Sequence, residues 1–136
     1  MLVDNLGILR GDGSAGTITA TETGATALDA DATTGKRVIP VNKTGRCGIP
    51  VAMVYTASNT SGMTWTVTIE ACDAVNFGNG VVDTVATFPA VTADGSDIMI
   101  RRIHTQKKYI RSVITGAGGS GNFNAFIFVT AGAMNT

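Results

Sequence analysis

The stretch Met63–Glu70 reads MTWTVTIE, with apolar and polar residues alternating along its whole length. Successive side chains of a β-strand point to opposite faces, so a period of two is typical of a strand that is buried on one face. An amphipathic helix would instead repeat its apolar residues every three or four positions. We therefore predict a strand here, with threonines facing outward and four side chains facing the core: Met63, Trp65, Val67 and Ile69.

Similar, less strict alternation occurs in seven other parts of the chain, and segments rich in Gly, Asn and Asp separate these runs. The runs are Gly16–Thr23, Lys36–Val41, Ile49–Ala57, Val81–Phe88, Ser96–His104, Lys107–Thr115 and Asn122–Thr130. No segment carries the apolar stripe of an amphipathic helix. About eight strands at this spacing favour a sandwich or a barrel over alternating strands and helices.

Length and composition limit the function classes. The chain has 136 residues, ten Lys and Arg against ten Asp and Glu, and only 15% charged residues. That length suits one domain covering residues 1–136. The absence of a basic excess argues against direct nucleic-acid binding, and no apolar run is long enough for a membrane span. With 44% hydrophobic residues the chain is not disordered, and its weakly charged surface is typical of a protein buried in an assembly.

The N-terminal third is rich in Thr, Ala, Gly and Asp, and we expect residues 1–14 to form an extended arm. Two compatible interpretations remain open: a loose arm followed by an edge strand, or an arm that becomes ordered on a neighbouring subunit. The opening residues lack the apolar core of a signal peptide, so we expect synthesis in a reducing cytoplasm. Cys47 and Cys72 are accordingly expected to be free thiols, although a disulfide between them is possible.

Residues for catalysis or metal binding are sparse. His104 is the single histidine, and it follows the basic pair Arg101-Arg102 with no carboxylate nearby in sequence. Two cysteines and one histidine do not make a four-ligand zinc set. The glycine-rich segment Gly116–Gly121 lacks the Lys-Ser or Lys-Thr ending of a phosphate-binding loop. We expect no enzyme activity, no catalytic residues, no cofactor and no metal.

The second half of the chain carries a recognisable series of segments. A strand with Glu70 and Asp73 at its end is followed by Asn76-Phe77-Gly78, then by the Thr- and Ala-rich run Val82–Ala90, and then by Lys108–Val113, which has the pattern K-x-Y-x-R around Tyr109. This series, together with the opening Met1–Asp4, resembles the capsid cement, or decoration, proteins of tailed bacteriophages. The resemblance covers roughly residues 63–130.

The resemblance implies an all-β, eight-stranded β-sandwich of the jelly-roll type with an extended N-terminal arm. It implies a structural virion protein on the outer face of an icosahedral head, bridging capsomers and stabilising the shell. The implied partners are the major capsid protein and neighbouring copies, as a dimer or trimer. Alternatives are a phage tail or neck sandwich and a carbohydrate- or receptor-binding module. Charge placement suggests six contact residues: Asp4, Arg10, Asp12, Arg101, Arg102 and Lys107.

Overall fold

The computed structural model describes residues 8–11, 17–19, 22–23, 39–41, 48–60 and 62–130. Within these ranges the regular structure is β, with a single 3-10 turn at Phe77–Asn79 and no α-helix. The strands are β1 (Ile8–Arg10), β2 (Glu22–Thr23), β3 (Ile39–Pro40), β4 (Ile49–Thr60), β5 (Thr64–Cys72), β6 (Asp83–Thr87), β7 (Gly95–Ile103), β8 (Tyr109–Ala117) and β9 (Ser120–Val129).

The strands form two antiparallel sheets that pack face to face. Sheet I has the order β1-β9-β4-β7, and sheet II has the order β2-β8-β5-β6, with the short β3 also paired to β8. Apart from β3, the first four strands pair with the last four in reverse order, as β1 with β9, β2 with β8, β4 with β7 and β5 with β6. A long antiparallel ribbon rolled into two sheets in this way is the jelly roll. The predicted eight-stranded jelly-roll sandwich is therefore confirmed, with β3 as a short addition.

The core lies between the two sheets and follows the predicted alternation. On β5 the four expected side chains, Met63 beside the strand and Trp65, Val67 and Ile69 within it, are buried, while Thr64, Thr66 and Thr68 are half-buried on the outer face. Sheet I contributes the facing residues: Val51, Met53, Ala57, Phe123, Ala125 and Ile127. The indole ring of Trp65 stacks on Phe123, with 5.3 Å between ring centres, and joins the two sheets.

The expected extended arm over residues 1–14 is described in part, and that part belongs to the sandwich. Residues Ile8–Arg10 form β1 and pair with β9, and both Leu9 and Arg10 are fully buried. Leu9 belongs to the main core cluster. The remaining residues of the expected arm, except Gly11, lie outside the described residues. The chain therefore enters the sandwich earlier than its Gly- and Asp-rich composition indicated, because a single apolar residue, Leu9, fills a core position.

Cys72 is a buried free thiol, as expected, and its Sγ accepts a 3.5 Å hydrogen bond from the backbone N–H of Ala74. Cys47 lies outside the described residues, so the free state of its thiol stays a prediction. In the described part of the chain, no helix combines the length and hydropathy that a membrane-spanning helix needs.

Candidate functional site

The outer faces of the two sheets differ in chemistry. Sheet II presents a polar outer face, because the outward positions of β5 are Thr64, Thr66, Thr68 and Glu70. Their cross-strand neighbours on β8 include Thr115 and Arg111. On β5 this face has the alternation expected of a sheet with one polar side.

Sheet I presents an apolar outer face. The cross-strand pairing places Phe126, Val54 and Ile98 in one row across β9, β4 and β7. A second row, two residues further along each strand, contains Phe128, Ala52 and Ile100. We call these six residues the apolar band. A polar row of Asn124, Thr56 and Ser96 bounds the band on one side, and the hydroxyls of Thr56 and Ser96 lie 3.2 Å apart.

Exposure of the apolar band increases towards β7. Phe128 and Ala52 are buried, whereas Val54 is 37% exposed and the two isoleucines, Ile98 and Ile100, are 57% and 51% exposed. Exposed isoleucines in adjacent outward positions of one strand leave apolar area in water that no core contact compensates. Contiguous apolar patches of this kind mark interaction surfaces in soluble proteins.

The sequence contains a signal for the apolar band that the alternation argument missed. Strand β5 alternates strictly, but Pro50–Val54, Ile98–Ile100 and Ala125–Val129 are continuous apolar runs. A continuous run in a strand puts apolar side chains on both faces. Because one face of each strand is used by the core, the other face had to be apolar as well.

The structure does not gather the six expected contact residues on one surface. Arg10 is fully buried, which is a correction to its expected role at an exposed contact. Its Nη1 donates to Asn124 Oδ1 at 2.6 Å and to the backbone oxygen of Ala125 at 2.8 Å. Asp4 and Asp12 lie outside the described residues. These charge-assisted hydrogen bonds tie β1 to β9.

The three expected contact residues of the second half, Arg101, Arg102 and Lys107, do not share one surface. Arg101 and Arg102 are exposed neighbours on β7 and point to opposite faces of sheet I. Arg102 faces outward beside the apolar band, whereas the Arg101 Nε donates to the backbone oxygen of Thr87 on β6 at 3.4 Å. Lys107 lies in the connection after β7, where its Nζ is 3.8 Å from Asp73 Oδ2. Of these three residues, only Arg102 therefore adds charge to the outer face of sheet I.

The motif residues that carry the sequence resemblance meet at one end of sheet II. Arg111 is held by Glu70, with Nη2 and Nε at 2.8 and 2.9 Å from Oε1, and its guanidinium lies over the ring of Phe77. Asp73 accepts from the backbone N–H of Lys108 at 3.2 Å. These contacts surround the buried Phe77, which packs with Cys72 in a small cluster separate from the main core. Glu70, Phe77 and Arg111 thus have a structural role, whereas the motif residues Asp73, Asn76 and Lys108 are exposed.

Chemistry for catalysis is sparse at the surface. Among the described residues, no group of three or more His, Cys, Asp and Glu side chains is arranged to hold a metal. An open hollow of about 410 Å³ lies beside the exposed His104. Its lining residues are Asp83, Val85, His104, Thr105, Gln106 and Lys107. All eight aromatic residues of the chain lie in the described part, and each is buried or half-buried. No Phe, Tyr or Trp lines the hollow.

No model of a known protein family and no curated protein sequence matches the chain. Two solved structures have a related chain path. The CBM22-1 and GH10 modules of endo-1,4-β-D-xylanase 10B from Clostridium thermocellum, complexed with xylohexaose, match 90% of this chain with 12% identity and a TM-score of 0.45. This chain spans only 28% of that one.

The second structure is the C-terminal family 22 carbohydrate-binding module of the same xylanase. It matches 96% of this chain with 14% identity and a TM-score of 0.42, and 98% of its own length is covered. At these values the similarity assigns neither a family nor a ligand. Neither protein is described as a virion component, so these two comparisons add no support to the resemblance to decoration proteins.

Proposed function

We propose that this chain is a non-enzymatic assembly protein that binds other proteins through the outer face of sheet I. The observation that carries the proposal is the apolar band, whose members on β7 are more than half exposed. Burying two isoleucines against a partner contributes roughly 1.5–3 kcal/mol each when the burial is complete. A partner surface is the simplest way to remove this area from water.

The assembly that we propose is the shell of a tailed bacteriophage, with the chain as a decoration protein on the outer capsid surface. The sequence resemblance supports this setting, and the low charge content suits a protein whose surface is partly covered. The major capsid protein would contact the apolar band, with Arg102 beside it. Many copies with modest individual contacts stabilise a shell because symmetry repeats each contact over the lattice.

The test uses virions of the source phage and particles assembled without this chain. Recombinant full-length protein is added to the depleted particles, and occupancy is measured by co-sedimentation and cryo-electron microscopy. We expect saturable binding to the outer surface, reduced at least tenfold by the double variant Ile98→Thr, Ile100→Thr. Threonine keeps the β-branched shape and so preserves the strand.

The matched control is Val113→Thr, which makes the same kind of change on the outer face of sheet II, where Val113 is half-buried. It should bind like the unsubstituted chain. Absence of binding to depleted particles would refute the capsid assignment. Density for this chain at the tail or neck in intact virions would place it there instead.

Carbohydrate binding is the second candidate, and the hollow beside His104 favours it. Its lining offers hydrogen-bonding groups on Asp83, Gln106 and Lys107, which suit sugar hydroxyls. No Phe, Tyr or Trp lines the hollow, which makes this candidate weaker because sugar rings are commonly bound by stacking. Affinity electrophoresis in soluble polysaccharides, with Gln106→Ala as the variant, separates the two functions. Retardation that Gln106→Ala abolishes would favour carbohydrate binding.

A further inference from the structure

Strand β7 is an unusual edge strand. Among the strands that the structure describes, those at the ends of the two sheets are β1, β7, β2 and β6. Of these, β1 has only three residues and β2 only two. The pairing of β1 with β9 and that of β6 with β5 each contain a register shift. β7 has nine residues in uninterrupted register with β4. Short or bulged edges resist pairing with another chain, whereas a long regular edge invites it.

The free side of β7 can be identified from its hydrogen bonds. On β4, the backbone oxygen of Pro50 accepts a hydrogen bond from the N–H of Thr130, just beyond β9. Because backbone groups of alternate residues point to opposite sides of a strand, even-numbered β4 residues form their backbone hydrogen bonds with β9 and odd-numbered ones with β7. The β7 residues opposite those odd positions, such as Met99, bond to β4. The backbone groups of Ile98 and Ile100 therefore point away from β4, off the edge of the sheet.

Two charged side chains bind these edge groups in the single chain. The N–H of Ile98 donates to Oδ1 of Asp97 at 2.7 Å, and the C=O of Ile100 accepts from Nη1 of Arg101 at 3.3 Å. Both bonds are exposed and join adjacent residues. They satisfy one N–H and one C=O of the edge without covering it, and bonds to a second strand would replace them.

The sequence of β7 is complementary to itself in the antiparallel direction. Met99 is the centre of this symmetry. The residues one position away on either side are Ile98 and Ile100, and those two positions away are Asp97 and Arg101, which have opposite charges. If two copies pair with Met99 on the two-fold axis, Asp97 of one copy lies opposite Arg101 of the second copy, twice. Directly opposite charges stabilise an antiparallel pair, and like charges destabilise it.

The same register also satisfies the backbone. The residues that would form hydrogen-bonded pairs are the even-numbered ones, Ile98 with Ile100 and Ser96 with Arg102, whose backbone groups point off the edge. About eight backbone hydrogen bonds result, because each such pair exchanges two. Asp97 and Arg101 fall at the non-hydrogen-bonded positions, where opposing side chains are closest.

We propose that two copies of this chain pair through β7 in this register, forming a two-fold dimer with one continuous eight-stranded sheet made of both sheets I. The exposed side of the apolar band then runs across the two-fold axis, with Ile98 and Ile100 of each copy adjacent. This inference does not depend on the proposed function, since the dimer would form whether or not the chain binds a shell. Charged side chains on an edge strand generally protect it, but in this register the opposite charges of Asp97 and Arg101 attract a second copy.

The first test is the oligomeric state of the purified full-length chain, measured by sedimentation velocity up to about 0.5 mM. We expect a reversible dimer. Asp97→Arg or Arg101→Asp places like charges opposite each other twice, and each should raise the dissociation constant at least tenfold. The double variant Asp97→Arg, Arg101→Asp swaps the charges and should restore the dimer. Circular dichroism checks that each variant is folded.

The second test is cysteine cross-linking. Residues on the two-fold axis at a non-hydrogen-bonded position have Cα atoms about 4.5 Å apart, within disulfide range. Met99→Cys should therefore form an intermolecular disulfide on mild oxidation. Ser96→Cys is the control, because its two copies would lie about 20 Å apart in this register. The unsubstituted chain, oxidised in parallel, reports the background from its native cysteines.

The outcomes separate clearly. A monomer at every concentration would show that Asp97 and Arg101 protect the edge, and would overturn the proposal. A dimer that neither single charge reversal weakens would place the interface elsewhere and overturn it too. Loss with each single variant, recovery with the charge swap, and cross-linking at position 99 but not 96 would support this register.

Discussion

The guanidinium carbon of Arg111 lies 4.2 Å from the centre of the Phe77 ring, and the same guanidinium is bonded to Glu70. This arrangement joins β5 and the 3-10 turn, which are close in sequence, to β8, which follows much later in the chain. The ion pair fixes the guanidinium over the ring, and the three residues form one connected group on the outer face of sheet II.

Replacing Arg111 tests how much these contacts stabilise the fold. Arg111→Gln should lower the free energy of unfolding by about 1–2 kcal/mol, because it removes both the contact with the ring and the ion pair. The matched control is Lys107→Gln, whose pairing with Asp73 is longer and more exposed, and whose loss should cost about 0–1 kcal/mol. Urea denaturation followed by tryptophan fluorescence measures both. Equal effects would mean that the ring contact contributes nothing.

Trp65 is predicted to be the largest single contributor to the core. Trp65→Ala should cost about 3–5 kcal/mol, since it removes a fully buried ring that stacks on Phe123 and donates from Nε1 to Asn59 at 2.9 Å. Thr66→Ala, the next residue on the same strand but on the outer face, should cost less than about 1 kcal/mol. Calorimetric unfolding of both variants provides the comparison. A small loss at position 65 would contradict the register of β5.

Gly116 lies directly opposite Trp65 on β8 and leaves room for the indole. A Cβ at this position would be 2.5 Å from Cζ3 of Trp65 and 2.6 Å from Cε of Met63. Gly116→Ala should therefore destabilise the fold by about 1–3 kcal/mol through overpacking. Gly78→Ala, whose added Cβ would come no closer than 3.3 Å to Asn76 Oδ1, is the control. Similar midpoints in urea for the two variants would argue against the tight contact with Trp65.

Leu9 tests whether β1 is part of the folded core. Leu9→Ala should cost about 2–5 kcal/mol, because the side chain is fully buried. Ile98→Ala, at an exposed position, should cost much less. Thermal unfolding distinguishes them. Deleting residues 1–14 would remove this strand, so a deletion intended to test partner binding should end before Ile8. A neutral Leu9→Ala variant would contradict the prediction and make that restriction unnecessary.

The alternation in Met63–Glu70 correctly predicted β5 and the side chains that it buries in the core. That success has a local cause, because the period of two depends only on the geometry of one strand. The boundaries of the other strands were predicted less closely. β1 was missed entirely, since three residues are too few to show a period and their pairing partner, β9, lies more than a hundred positions away.

What the sequence determined alone was therefore which side chains share a face of each strand, and from the number and spacing of the strands, the class of fold. Which faces meet water was decided by the tertiary structure. Arg10 is buried because Asn124 and Ala125, distant in sequence, accept its hydrogen bonds. Ile98 and Ile100 are exposed because β7 ends its sheet and carries the apolar band to the edge. Both outcomes depend on pairing between distant strands, which forms only when the ribbon rolls up and which no local pattern encodes.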